Sequence, residues 1–261
     1  MLKAYNLKSE ASWDDGLLYQ NGLNLYEAQK KEVQKSLDKF LLKDGSLNGS
    51  LMQSDWFPQI NADIFISHSH KDEVKAIALA YWLKDNFGIN TFIDSCVWNY
   101  SIDLLREIDN KYCLNSDGHY YSYQKRNFST SHVHMMLSTA LMMMIDKTEC
   151  IFFINTPNSI TTDGVINQTE SPLIYSEITM SKLVRRKSLS EYRHERFKAF
   201  SGTEELSESL KIKYDIPTEH LIDITDADLA IWKRQWNKVF TDSKKYPLDK
   251  LYEITSFVKT S

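Results

Sequence analysis

The chain has 261 residues, a formal net charge of −4, 42% hydrophobic residues and 25% charged residues. These are the proportions of an ordinary globular protein, one large domain or a medium domain with an appendage. The charge leaves no electrostatic footprint for general nucleic-acid binding, and the longest apolar stretch, Met135–Ile145, is interrupted by Ser138 and Thr139 and too short to span a bilayer. No charged-then-apolar leader opens the chain. Cys96, Cys113 and Cys150 are widely spaced with no CxxC pair, so a reducing cytoplasm is expected, with neither a zinc knuckle nor a disulfide framework.

Residues 1–58 read as an N-terminal helical extension. "NLYEAQKKEVQKSLDKFLLKDG" places Leu25, Val33, Leu37, Phe40 and Leu41 near one helical face, with Lys and Gln opposite and Gly45 past the end. A helix packed on the main domain is favoured over a separate oligomerisation module. "DGSLNGS" and "DWFPQ" then read as linker and turn.

Residues 59–261 alternate strand and helix. "DIFIS" predicts a short buried strand, "KDEVKAIALAYWLKDNFG" an amphipathic helix ended by Gly88, and "INTFID" a second strand. "YSIDLLREIDNKYC" and "SHVHMMLSTALMMMIDKTE" predict two helices, "CIFFINT" a third strand, and "SPLIYSEITMSKLVRR" a further helix. "EHLIDIT" offers a fourth strand, with closing helices from Asp226 and Pro247. Short apolar runs separated by helices predict a parallel sheet covered on both faces. Such sheets bind ligands beyond the carboxyl ends of their strands, which selects the loops after Ser67, Asp94 and Asn155.

Two His-x-His pairs stand out, His68/His70 and His132/His134. On an extended strand both rings of a pair share a face, a start for a metal site that Asp94 would complete. The second pair precedes a helix, however, where i and i+2 diverge. The first lies where a strand turns into a helix N-terminus, with Ser69 or His70 as cap and Asp72 and Glu73 against the dipole. Cleft and capping roles are therefore favoured over a His-x-His metallohydrolase.

In their order and spacing, "DIFISHSHKDE" with its following helix, "INTFID", "CIFFINTPNS" and "SPLIYSEI" resemble the Toll/interleukin-1 receptor (TIR) domain, particularly bacterial TIR proteins. Phe65-Ile66-Ser67-His68, Asp94 and Ser171…Glu177 stand at the matching places. The resemblance covers roughly residues 60–260 and implies a flavodoxin-like α/β fold. Two departures accompany it. An insertion-like stretch of about 35 residues, 98–132, carries "DLLREIDNKYC" and "GHYYSYQKRNF", and Leu173 stands where many NAD-cleaving members have Trp. Trp98, Tyr120 or Tyr121 are alternatives for that stacking role.

The resemblance further implies an NAD glycohydrolase or ADP-ribosyl cyclase of antiphage defence or signalling. NAD is then substrate, no cofactor is implied, and self-association or a partner sensor or effector protein is expected. A non-enzymatic interaction module is the rival. Glu177 would be the catalytic carboxylate, with Ser67, His68, Asp94, Trp98 and Leu173 about the substrate. The helix start at Ser171-Pro172 suits a capping Ser followed by Pro at the first position, and 3.6 residues per turn puts Leu173 and Glu177 on one face, away from Ile174 and Ile178. Backbone N–H groups at the helix start after Ser67-His68 are candidates for a phosphate. Asp94 either fixes its loop or touches the ribose. The basic run "KLVRRK…RHERFK" reads as a solvated helix end, and the Met run "HMMLSTALMMMI" as core or helix-mediated interface.

Overall fold

A strand whose residues are all apolar has no face to give to water and must lie inside a sheet covered on both sides. Ile64–Ile66 is such a run, and with Ser67 at its end it forms the strand Ile64–Ser67 (β2), buried at every position. It pairs in parallel with Thr91–Ile93 (β3) on one side and Cys150–Asn155 (β4) on the other. The computed structural model describes residues 3–10, 13, 16–29, 37–163, 166–169, 171–184, 186, 214–215, 217–238 and 246–257.

The central sheet has five parallel strands. Lys3–Lys8 (β1) lies beside β4, with Lys3 opposite Cys150 and Lys8 opposite Asn155, and Ile222–Thr225 (β8) closes the far edge against β1. The spatial order is therefore β3-β2-β4-β1-β8. A separate antiparallel sheet is built from Thr161–Asp163 (β5), Ile166–Thr169 (β6) and Tyr214–Asp215 (β7).

Alternation along each strand sends successive side chains into two cores. Phe65, Phe92, Ile151 and Phe153 point to one face, covered by Gly49–Trp56 (α2), Ser95–Ile108 (α4), Tyr123–Lys147 (α5) and Pro172–Leu183 (α6). Tyr5, Leu7, Ile64, Ile66, Phe152 and Ile154 point to the other. That face is covered by Gly16–Gln29 (α1), Glu73–Phe87 (α3), Asp226–Asn237 (α7) and Pro247–Phe257 (α8). The architecture is thus α/β and flavodoxin-like, as the sequence predicts. One departure is topological: the strand between β4 and the edge comes from the N-terminus instead of following β4 in the chain.

Local signals explain most boundaries. Gly88 ends α3 in the left-handed conformation, φ 68°, returning its N–H to Lys84 O. Thr225 and Asp228 form a reciprocal capping box at the start of α7.

The expected N-terminal extension is corrected by β1. Residues 1–58 hold a strand inside the sheet, with Tyr5 and Leu7 fully buried, so they belong to the same folding unit as residues 59–261. Of the helix expected there, α1 ends at Gln29, residues 30–36, including Val33, lie outside the described residues, and Asp38–Phe40 is a single 3₁₀ turn. The 98–132 stretch is the body of α4, a π-turn at Asp109–Cys113, a short connection and the first turns of α5. Residues 187–213, which contain most of the basic run, lie outside the described residues.

Deleting residues 1–10 removes Tyr5 and Leu7, roughly 3–5 kcal/mol each by core-truncation precedent, against a total stability of about 5–15 kcal/mol. The truncated chain should show no cooperative urea transition by circular dichroism. At Gly22 of α1 an added Cβ would lie 2.6 Å from the Ile77 carbonyl oxygen on α3. Gly22→Ala should therefore lower stability by about 1–3 kcal/mol through overpacking, and an unchanged urea midpoint would contradict that close approach.

Candidate functional site

The carboxyl ends of β2 and β3 carry the residues that the sequence singles out. Ser67 is the last residue of β2 and His68 follows it; Asp94 follows β3 and caps α4, accepting a hydrogen bond from Ser95 N at 2.8 Å. The His68 backbone N–H donates to Asp94 Oδ2 at 3.3 Å, and His68 Nδ1 lies 2.5 Å from Asp94 Oδ1. Asp94 N in turn donates to Ile66 O at 3.2 Å. Asp94 therefore clamps the β2 turn to the start of α4, the loop-fixing role of the two that the sequence leaves open.

Glu177 reaches this clamp from α6. The helix begins as its sequence predicts, with Ser171 Oγ accepting from Ile174 N at 3.3 Å and Pro172 in the first turn. Ser67 Oγ donates to Glu177 Oε2 at 2.5 Å, joining residues 110 apart in the chain. Ile174 and Ile178 anchor the helix on the sheet, each 0% exposed. Glu177 itself is 1% exposed, and Ser67, His68 and Asp94 are each 0% exposed. This corrects the expected cleft edge. Glu177 lies on the inward side of α6 with Ile174, Ile178 and Ser181, while Leu173 is half-buried and packs on the same core. In this conformation the four polar groups are closed off from water.

Burial in turn decides protonation. It raises the Glu177 carboxyl well above the ordinary carboxylate value, and the neighbouring Asp94 carboxylate raises it further; the Ser67 hydroxyl and His68 pull the other way. Burial likewise raises Asp94, opposed by the N–H groups of His68 and Ser95. His68 is pushed down by burial to about 4, despite the pull of Glu73, Glu177 and Asp72. The imidazole is therefore neutral at neutral pH, and burial favours one shared proton on the carboxyl pair over two buried negative charges. A hydrogen bond between the two side chains raises Glu177 further and lowers Asp94.

The His-x-His pairs do not act as pairs. His68 is buried while His70 is exposed on the 3₁₀ turn, and His132 and His134 flank buried Val133 on α5, both exposed. Among the described residues no group of three or more His, Cys, Asp and Glu is arranged to hold a metal ion. The start of α3 is likewise not free for a phosphate, because it already carries negative charge. The Asp72 carboxylate, 7% exposed, accepts from Thr156 Oγ1 at 2.5 Å and Asn158 Nδ2 at 3.0 Å. This tie joins the loops after β2 and β4, neighbouring strands of the central sheet. Sequence reasoning selects the loop after Asn155 but not its partner, since nothing local links Asp72 to Thr156.

Of the remaining candidates, the Trp98 side chain lies outside the described residues. Tyr121 serves the α4–α5 connection, its hydroxyl on Asn110 Oδ1 at 2.5 Å and its ring 5.3 Å from the Arg126 guanidinium, and Tyr120 is exposed. A Ser–His contact missed by the sequence joins Ser181 Oγ and His220 Nε2 at 2.8 Å. Ser181 gives its own proton to Ile178 O at 2.8 Å, so His220 donates to it and no activated nucleophile results.

No family model, no curated protein and no solved structure matches the chain.

The titration of this cluster has a definite sign. His68 holds fewer protons folded than unfolded between about 4 and its ordinary 6.5, so its contribution to stability rises with pH across that window. Glu177 and Asp94 hold more protons folded than unfolded above their ordinary values of 4.5 and 3.8, so theirs falls with rising pH. Urea unfolding at pH values rising from 4.5 should show wild type losing stability relative to Glu177→Gln, whose amide cannot ionise. A constant difference across that range would overturn the assignment.

Proposed function

We propose that Glu177 is the carboxylate of a site that cleaves the nicotinamide–ribose bond of NAD. The observation that carries this reading is the convergence of Ser67, Asp94 and Glu177. They come from the three separated motifs that carry the TIR resemblance and meet at the carboxyl ends of β2 and β3.

The chemistry requires little else. Nicotinamide in NAD is a cationic pyridinium, so the C1′–N bond breaks with its electron pair leaving on a neutral base, and no general acid is needed. The second member of the usual glycosidase carboxylate pair is then dispensable. One carboxylate at the ribose stabilises the developing oxocarbenium charge. Water adds at C1′ and gives its proton to that carboxylate or to solvent. The pyridinium charge also favours the ionised form of a carboxyl group otherwise held protonated.

Because Glu177 is closed off, reaction requires displacement of the elements that cover it. Self-association or a partner protein would supply that displacement, and nicotinamide release per chain would then rise with protein concentration. A second reading is favoured by the complete burial of Ser67, His68 and Asp94. In it the cluster is structural and the chain is a non-enzymatic interaction module.

Chromatography of NAD incubated with concentrated protein and a crowding agent separates the two. The first predicts nicotinamide release that falls roughly 10²–10³-fold in Glu177→Gln, the range for removing a transition-state electrostatic partner. Equal release by both proteins, or none by wild type across the full concentration range, favours the interaction module.

A further inference from the structure

We propose that a groove between the α2 entry loop and α5 binds a single-chain amphiphile with an anionic head, a free alkyl carboxylate. The groove has a volume of about 830 Å³, within the roughly 300–1,000 Å³ of small-molecule sites. Its walls are mainly apolar, with Leu47, Met52, Ile108, Phe128 and Met136 among them. It is separate from the Glu177 cluster and shares no residue with it.

The groove's polar groups select the head. Its floor is internally satisfied. Ser129 Oγ donates to Asp109 Oδ1 at 2.6 Å, Arg126 Nε donates to Asp109 Oδ2 at 2.7 Å, and Cys113 Sγ lies 3.6 Å from Ser129 Oγ. The nearby acid Asp38 is paired with Lys111. At the rim, Lys125 is exposed and forms no ion pair among the described residues, and two turns further along α5 the His132 ring lies against Phe128, centroids 4.5 Å apart. Lys125 is the one Lys, Arg, Asp or Glu among the groove's described lining residues, and the acid Asp44 beside Gly45 and Ser46 accepts from the Ser46 N–H and hydroxyl. An aliphatic chain along Phe128 and Met136 with a carboxylate at Lys125 matches both properties. Phe128, 70% exposed, would be covered in the process.

Gly49 provides a clean obstruction. It lines the groove, and a Cβ there meets only Met136 Cε at 3.5 Å, ordinary contact. Gly49→Trp thus places an indole in the groove without deleting core packing. Isothermal titration of the full chain with dodecanoate below its micellar concentration should give saturable binding. Gly49→Trp should weaken it at least tenfold. The exposed substitution Lys125→Glu should weaken dodecanoate by about tenfold, about 1.4 kcal/mol, while leaving dodecan-1-ol unchanged. The proposal is overturned by an absence of saturable dodecanoate binding to the wild-type chain, by undiminished binding to Gly49→Trp, or by equal binding of dodecyltrimethylammonium. A dimer that dissociates in Gly49→Trp and takes up no dodecanoate would instead assign the groove to a second copy of the chain.

Discussion

The hydrogen-bond ladder between β1 and β4 is the constraint on which the sheet depends. Six consecutive residue pairs, from Lys3–Cys150 to Lys8–Asn155, join the start of the chain to its middle, and β1 then carries the ladder on to β8. Without β1, β4 would be an edge strand of apolar residues and β8 would have no partner. Both cores are organised around this line. Tyr5 and Leu7 enter the face covered by α1, α3, α7 and α8, with the Tyr5 ring edge-on to Phe152 at 5.3 Å, while Ala4 enters the other. The chain closes on the same line, because Tyr5 Oη meets Thr255 Oγ1 of α8 at 3.2 Å.

A sheet built this way leaves its strand ends as the place where polar residues must be buried. Ser67, His68, Asp94 and Glu177 answer that demand with a network that is largely satisfied and contains as little net charge as its protons allow. A neutral imidazole and a retained carboxyl proton are what low dielectric selects. Such a network stabilises the fold poorly. Burying two carboxyl groups and an imidazole carries a desolvation cost that apolar residues of the same shape would avoid. Its retention is the physical reason to seek a functional role for Glu177. Whatever opens the site must also separate Ser67 from Glu177, so access and ionisation are linked.

The segment 108–143 has a different character. Tyr120, Tyr123, Phe128, Met135 and Met143 are all exposed large side chains, whereas the faces toward the sheet are conventionally apolar. The Met run accordingly divides, with Met144 in the core and Met135 and Met143 outside. Adaptable thioether and aromatic surface next to an open groove suits binding better than packing. The candidate chemistry at the strand ends and the candidate binding surface on α5 thus occupy separate parts of the molecule.

The sequence by itself determined the elements whose signals are local. Apolar runs marked β2, β3 and β4 as doubly covered strands, Gly88 marked the end of α3, and Ser171-Pro172 marked the start of α6. The period of 3.6 placed Ile174 and Ile178 on the sheet. Tertiary structure alone decided the rest. β1, "KAYNLK", has lysine at both ends and an asparagine within, and nothing local marks it as a central strand. Its place follows from pairing with residues far along the chain. Whether Glu177 faced a cleft or the interior depended on how α6 docks, because the inward and lateral faces of a helix merge over a single turn. The divergence of His68 from His70 and the tie of Asp72 to Thr156 have the same origin. Periodicity and capping energies act over a few residues, whereas burial and charge pairing are set by segments that meet only once the sheet is assembled.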